Sequence, residues 1–267
     1  MYLVNSIQNH PIGFFDSGVG GVSIWKKIQQ LLPNENTIYL ADSKNAPYGE
    51  KPPNKIRELS KKNTEFLLRK NAKIIIVACN TATTNAVSFL RDSYNVPFIG
   101  IEPAIKSAEL ITKTKKIGLL ATRATIRSKL FGKTAAILDE SVTIIEQAGN
   151  GLVDLIESGR MGTLEMHQLL IKYLKPMIKG NVDVLVLGCS HFPHLSAKIK
   201  EITKNSIQII DSSAAVAKQT KKILENSNLL RKSIKNKPDH QFYSNKNKEV
   251  LIQLVNNSSV KIRTLDF

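Results

Sequence analysis

KIIIVACNTATTNAVSFL (residues 73–90) and VDVLVLGCSHFPHLSAKI (residues 182–199) are built alike, and they carry the two cysteines of the chain, Cys79 and Cys189. Each begins with a short run of Val, Ile and Leu, reaches the thiol, passes a small polar residue, and continues with helical apolar spacing. The pattern reads as strand, thiol, helix, twice. An apolar run without alternation is what a strand covered on both faces looks like, which points to a parallel sheet between helices. A thiol at the C-terminal tip of such a strand lies in the crevice where open α/β sheets bind ligands, and a helix N-terminus beside it favours thiolate. Two thiols facing one cleft suit paired acid–base chemistry.

Outward from these segments, strands and helices alternate. Residues 11–15, 37–41, 74–78 and 98–101 read as strands; 22–32, 54–70 and 83–93 read as helices. This is βαβ patterning. The second half repeats the plan. Ile117 to Thr122 resembles Ile12 to Ser17 at an offset of 105, Cys189 follows Cys79 by 110, and Ile207 to Asp211 matches Phe98 to Glu102 at 109. Three matches in the same order at nearly constant offsets predict an α/β fold of two pseudosymmetric lobes. Each lobe is a mostly parallel sheet flanked by helices, with the active site in the cleft between them.

A chain of 267 residues, 42% hydrophobic and 6% aromatic, has the composition of a globular protein. Its longest apolar runs fall far short of the ~18 residues that a membrane span requires. Met1 to Ser6 lack a basic region followed by an apolar one, so no secretory signal is read, a cytoplasmic location is expected, and both thiols are expected to be free. The formal charge of +16 would suit a nucleic-acid binder, but the lysines are scattered in ones and twos. Only Arg231 to Lys248 is densely basic, so a solvated surface is expected and no specific nucleic-acid partner.

Several residues at predicted strand ends suit chemistry. Asp16-Ser17-Gly18-Val19-Gly20-Gly21 follows a strand and opens a helix, so its amides suit an anion such as a substrate carboxylate. The spacing is neither that of a dinucleotide fingerprint nor of a P-loop. Asn80-Thr81 and Ser190-His191 supply donors beside the thiols, and His191 is placed to lower a thiol pKa or to give a proton. Asp42 and the loop Asn45-Ala46-Pro47-Tyr48-Gly49 end the second strand. Cys189, His191 and His194 form C-x-H-x-x-H, which is not a common zinc pattern, and no metal is expected. A cysteine hydrolase would leave one thiol idle.

Taken together, FFDSGVGG (14–21), APYGEK (46–51), VACNTAT (77–83), GIEPA (100–104), LLATRAT (119–125) and LGCSHFP (187–193) resemble the glutamate racemases, in family order from about residue 12 to 211. The resemblance implies interconversion of L- and D-glutamate without a cofactor, supplying D-glutamate for peptidoglycan. It implies Cys79 and Cys189 as the catalytic thiols, with Asp16, Asp42, Glu157 and His191 as supporting acids and bases. Glu157 rests on the short run Leu155-Ile156-Glu157. Substrate binding is implied for Asp16, Ser17, Pro47, Tyr48, Gly49, Asn80, Thr81, Thr122, Ser190 and His191. It also implies lobes comprising 1–103 with 213–267, and 104–212, and a homodimer. Ser190 and Phe192 stand where the family more often has Thr and Tyr, and Gly149-Asn150-Gly151 replaces a stretch that usually carries Cys-Pro. Aspartate racemase shares the two-thiol plan and is the nearest alternative.

Overall fold

A computed structural model describes residues 7–232, 237–246 and 248–267. Met1 to Ser6, where no signal is read, and 233–236 and 247 of the basic stretch lie outside the described residues. Among the described residues the strands are β1 (Ile12–Asp16), β2 (Thr37–Ala41), β3 (Ile74–Val77), β4 (Phe98–Ile99), β5 (Lys116–Ala121), β6 (Thr143–Ala148), β7 (Val184–Gly188), β8 (Gln208–Ile210), β9 (His240–Ser244) and β10 (Val260–Thr264). They form two sheets, in the orders β10-β9-β2-β1-β3-β4 and β6-β5-β7-β8. All pairings are parallel.

The order β2-β1-β3-β4 recurs as β6-β5-β7-β8, so the three sequence matches fall on β1 and β5, β3 and β7, β4 and β8. β1 is the middle partner of β2 and β3, with Phe15 opposite Val77; β5 is the middle partner of β6 and β7, with Ala121 opposite Gly188. The pseudosymmetry inferred from spacing is therefore topological as well.

Helices cover both faces because alternate strand residues point to opposite sides. In the first sheet Phe15, Ile75 and Val77 pack with Leu59 and Leu67 of helix α2 (Pro53–Arg69) and Ala86 and Leu90 of α3 (Asn80–Ser93). Phe14, Tyr39 and Ile76 face the other way, onto Val22, Trp25 and Ile28 of α1 (Val22–Leu31). In the second sheet Leu119 and Val186 pack under α4 (Ile105–Ile111). Leu120, Leu185 and Leu187 face the opposite layer, which includes α7 (Leu152–Glu157) and α8 (Leu164–Lys179). α5 (Arg123–Ile126) and α6 (Lys129–Ala135) follow β5, and α9 (Ser196–Ile202) follows β7.

The chain passes between the sheets near Glu102 and again near Ser212, where the Ser212 hydroxyl donates to the Glu102 carbonyl. Beyond that crossing α10 (Ser213–Asn226) packs on α1, and β9 pairs with β2 in the first sheet. No helix among the described residues is long and apolar enough to cross a membrane.

Two local expectations need correction. The helix after Cys79 starts at Asn80, three residues earlier than its apolar spacing suggests, because Cys79 itself is the N-cap. After Cys189 the helix is delayed: a 3-10 turn, Phe192–Leu195, intervenes before α9. Pro193 sits at the start of that turn, where its missing N–H costs nothing. Cys189 therefore has no regular α-helix N-terminus directly behind it.

Candidate active site

Parallel strands place their C-terminal ends on one edge of each sheet, and the two edges face each other. Asp16 ends β1, Asp42 follows β2, and Cys79 lies two residues past β3; Thr122 follows β5, Gly149 follows β6, and Cys189 follows β7. In each sheet the strand order reverses between the central strand and the thiol strand, which is where crevices open in doubly wound sheets.

Both thiols are free and buried, and both border one narrow cavity of about 10 Å³. That is room for roughly a single water. Ser17, Pro47, Tyr48, Gly49, Asn80 and Thr81 wall it from the first lobe. Thr122, Val153, Ser190 and His191 wall it from the second. An open depression of about 440 Å³ adjoins it, sharing Pro47, Gly49, Thr122 and Val153 and extending over Arg123, Gly149 and Asp154.

The lobes are tied across this cavity by polar contacts. Ser190 Oγ donates to both oxygens of Asp16 at 3.2 Å. The Val19 amide donates to Glu157 Oε1 at 2.7 Å, and Thr81 and Thr122 share a hydroxyl contact of 3.0 Å. His194 Nε2 reaches the Gly20 carbonyl at 3.2 Å. The glycines of the Asp16–Gly21 loop allow this approach: a Cβ at Gly18 would overlap the Glu157 carboxylate, and one at Gly20 the His191 ring.

Each thiol has its own polar surroundings. Cys79 Sγ accepts from the Ala82 amide at 3.4 Å and lies 3.6 Å from Ser17 Oγ. Asp16 accepts from the amides of Ser17 (2.8 Å) and Gly21 (2.6 Å). Cys189 Sγ lies 4.0 Å from His191 Nδ1, whose ring meets Glu157 Oε1 through Nε2 at 2.6 Å.

A helix N-terminus alone would favour thiolate at Cys79, yet burial, and then the Asp16 charge, push this thiol far up. Burial also raises Asp16, against the His191 charge and the two loop amides. For His191 burial disfavours the charge, but Cys189, Glu157 and Asp16 overcome it and hold the imidazole well above its ordinary value. Glu157 resists burial through the same imidazole and the Val19 amide, and stays below the usual carboxylate range. Both directions favour a protonated His191 imidazole against the Glu157 carboxylate.

Of the residues singled out in the sequence, those of the cavity wall, His191 among them, come together around the thiols, and Asp16 and Glu157 stand behind them. Asp42 lies further back. Its carboxylate accepts from Tyr48 Oη (2.5 Å) and Asn45 Nδ2 (2.8 Å), so it reaches the cavity through Tyr48. The amides of the Asp16–Gly21 loop differ from expectation as well: those of Ser17, Val19 and Gly21 serve the protein's own Asp16 and Glu157. Asn80 has both side-chain polar atoms buried without a partner. Buried amides are rarely left so, and this one borders the cavity.

Some contributors were not legible by spacing. Tyr39 Oη donates to the Gly18 carbonyl at 2.9 Å, Asn63 Nδ2 donates to Tyr48 Oη at 3.2 Å, and Asn245 donates to Asp42. Asn245 follows β9, whose Ser244 is in register with Ala41, so only the sheet order brings it beside Asp42. His194, which the C-x-H-x-x-H spacing offered as a metal ligand, instead faces Gly20.

Residues 12–220 match the family model described as Asp/Glu/Hydantoin racemase. The chain is 41% identical over 224 residues to a glutamate racemase of Herpetosiphon aurantiacus, covering 84% of this chain and 88% of that one. The crystal structure of glutamate racemase isoform RacE1 from Bacillus anthracis superposes with a TM-score of 0.85 at 28% identity, over 97% of this chain and 98% of that chain. A Francisella tularensis glutamate racemase, solved in complex with D-glutamate, superposes at 0.83 with 27% identity, over 97% and 98%. On its cysteine-bearing cleft, its two matching sheets and these likenesses, the chain belongs to the Asp/Glu/hydantoin racemase family, among the glutamate racemases.

Proposed function

We infer that this chain is an isomerase that interconverts L- and D-glutamate by moving a proton on and off Cα between two thiols, supplying D-glutamate for peptidoglycan. The observation that carries the reading is that Cys79 and Cys189, from equivalent strand ends of two topologically matching sheets, border one cavity. Relatives near 40% identity over most of the chain support glutamate as the substrate.

One cysteine, as thiolate, takes the α-proton; the other, as thiol, delivers its own proton to the opposite face. Their protonation states exchange in each turnover, and reversal serves the other enantiomer. Asp16 supports the Cys79 side through Ser17, and the His191–Glu157 pair supports Cys189. Asn80, with unused donors and acceptor, is suited to a substrate carboxylate; Thr81, Thr122, Ser17 and Ser190 add hydroxyls, while Pro47, Tyr48 and Gly49 close the wall. General acid–base catalysis contributes ~10²–10⁴-fold. The rest is asked of proximity and of donors placed where carboxylate charge develops. A cavity of about 10 Å³ does not hold glutamate, so the lobes part to admit it and close over it.

The lobe boundaries 1–103 with 213–267, and 104–212, belong to the same reading, supported by the distribution of strands between sheets. A homodimer in the cytoplasm rests on family resemblance. The test of the chemistry is to incubate each glutamate enantiomer in heavy water with Cys79→Ser and Cys189→Ser, following α-deuteration and optical rotation. Both variants lose racemisation, and any residual deuterium uptake is confined to one enantiomer; full activity in either removes the two-thiol mechanism.

A further inference from the structure

His194 is the one histidine near the cleft to which the proposed reaction gives no part, and its partner lies in the other lobe. A carbonyl only accepts, so the contact of His194 Nε2 with the Gly20 oxygen at 3.2 Å requires the ring proton on Nε2. The Gly20 carbonyl and the Gly21 N–H belong to one peptide unit. That N–H donates to Asp16 Oδ2 at 2.6 Å. One planar amide therefore joins His194 in the second lobe to Asp16 in the first, and hydrogen bonds at the two ends of an amide reinforce each other.

The geometry points to His194 as a positioning residue that holds the Gly20–Gly21 peptide, and through it the Asp16 carboxylate, in place beside Cys79 when the lobes are closed. The inference deepens the racemase reading and rests on it for its kinetic consequences. The loop has reason to need a brace: a Cβ at Gly20 would overlap the His191 ring and backbone, so no side chain fits there. The Tyr39 hydroxyl holds the Gly18 carbonyl from the first lobe, and the Val19 amide is held by Glu157. The Gly20 carbonyl also accepts from the Ser23 amide at 3.3 Å and the Ser23 hydroxyl at 3.2 Å, both of the first lobe, and His194 adds the hold from the second.

His194 keeps one state over the working range, because burial and the neighbouring His191 charge push it down to about 4; Lys26 acts in the same direction, against the backbone carbonyls. The titratable groups around Asp16 are His191 and Glu157 from the second lobe and Cys79 and Tyr39 from the first. Weakening the Gly21 bond therefore raises Asp16 further while leaving those neighbours in place.

The experiment compares His194→Leu, His194→Asn and His194→Gln in the full chain, with glutamate racemisation measured across pH. Gln carries a donor at about the reach of Nε2, whereas Asn is too short and Leu has none. With Leu or Asn, kcat is expected to fall about three- to tenfold, and the acid limb of kcat/KM to move up by about half to one pH unit. With Gln both return to near the wild-type values. A second readout is the Gly21 amide in a ¹⁵N-labelled sample, expected to exchange faster with solvent in Leu and Asn and not in Gln. If Leu does not fold, the Asn and Gln pair decides. A Leu or Asn profile that superposes on wild type, or a Gln variant displaced as far as Leu, overturns the inference. A wild-type chain inactive on both glutamate enantiomers defeats the racemase reading instead, and the Gly21 amide still reports whether His194 holds the peptide.

Discussion

His191 stands between the Cys189 sulfur at 4.0 Å, the Glu157 carboxylate at 2.6 Å and, at longer range, Asp16. Its raised pKa is a statement about stability. The folded protein keeps a proton that the unfolded chain releases near pH 6.5. The stabilisation is fully present below that value and is lost as pH rises through the higher folded one. In urea unfolding, wild type should exceed His191→Gln most at about pH 6, and the gap should shrink toward alkaline pH by no more than ~1.4 kcal/mol per unit. A gap that stays constant with pH would mean that folding does not shift the imidazole, and one that widens toward alkaline pH that the fold holds it neutral. The same residue was legible from its place two positions after Cys189, whereas Glu157 was implied only by resemblance and its pairing with His191 was not. Glu157 lies 34 residues upstream in a run with no distinctive spacing, at the end of α7, and only the fold brings its carboxylate to the His191 ring.

At the scale of elements, α3 shows how structure and chemistry share one atom. Cys79 caps the helix by accepting the Ala82 amide at 3.4 Å. Serine is among the preferred N-caps, so Cys79→Ser keeps or improves the cap, whereas Cys79→Ala loses it at a cost of about 0.5–2 kcal/mol. Thermal melts should place Ser at or above wild type and Ala below it, with racemisation lost in both. A Ser variant that melts as low as Ala would remove the cap from the account. Strand and helix identities in the first half were legible because β3 and its neighbours carry β-branched runs and α2 carries helical spacing. The C-terminal strands were not. His240-Gln241-Phe242-Tyr243-Ser244 mixes polar and apolar residues within a basic stretch, yet β9 lies between β2 and β10 with Phe242 wholly buried.

Over the whole molecule, the end of the first sheet opposite the thiols is fastened by a buried ion pair. Lys73 Nζ meets Glu35 Oε2 at 2.5 Å and donates to the carbonyls of Gln8 (2.7 Å) and Leu229 (2.8 Å). Glu35 Oε1 accepts the Arg231 amide at 2.9 Å. The N-terminal segment, the start of β3 and the chain leaving α10 thus converge on one ammonium. Removing one member of a buried pair typically costs ~3–5 kcal/mol because the other is left uncompensated. Lys73→Met should lower unfolding free energy by about that much in urea while leaving KM for glutamate unchanged. A raised KM with unaltered stability would show that this anchor couples to the cleft.

Local order along the chain was enough to determine two repeated strand–thiol units, the parallel α/β class and the set of residues at strand tips, because apolar runs, breakers and offsets are properties of neighbours in sequence. Tertiary structure alone decided which tips meet. It set Glu157 against His191, Asn245 behind Asp42 and His194 on Gly20, and it closed the cleft to the volume of about one water. It also reversed the expected ionisation of Cys79, because desolvation and the Asp16 charge depend on what surrounds the sulfur in three dimensions and outweigh the helix end to which it is attached.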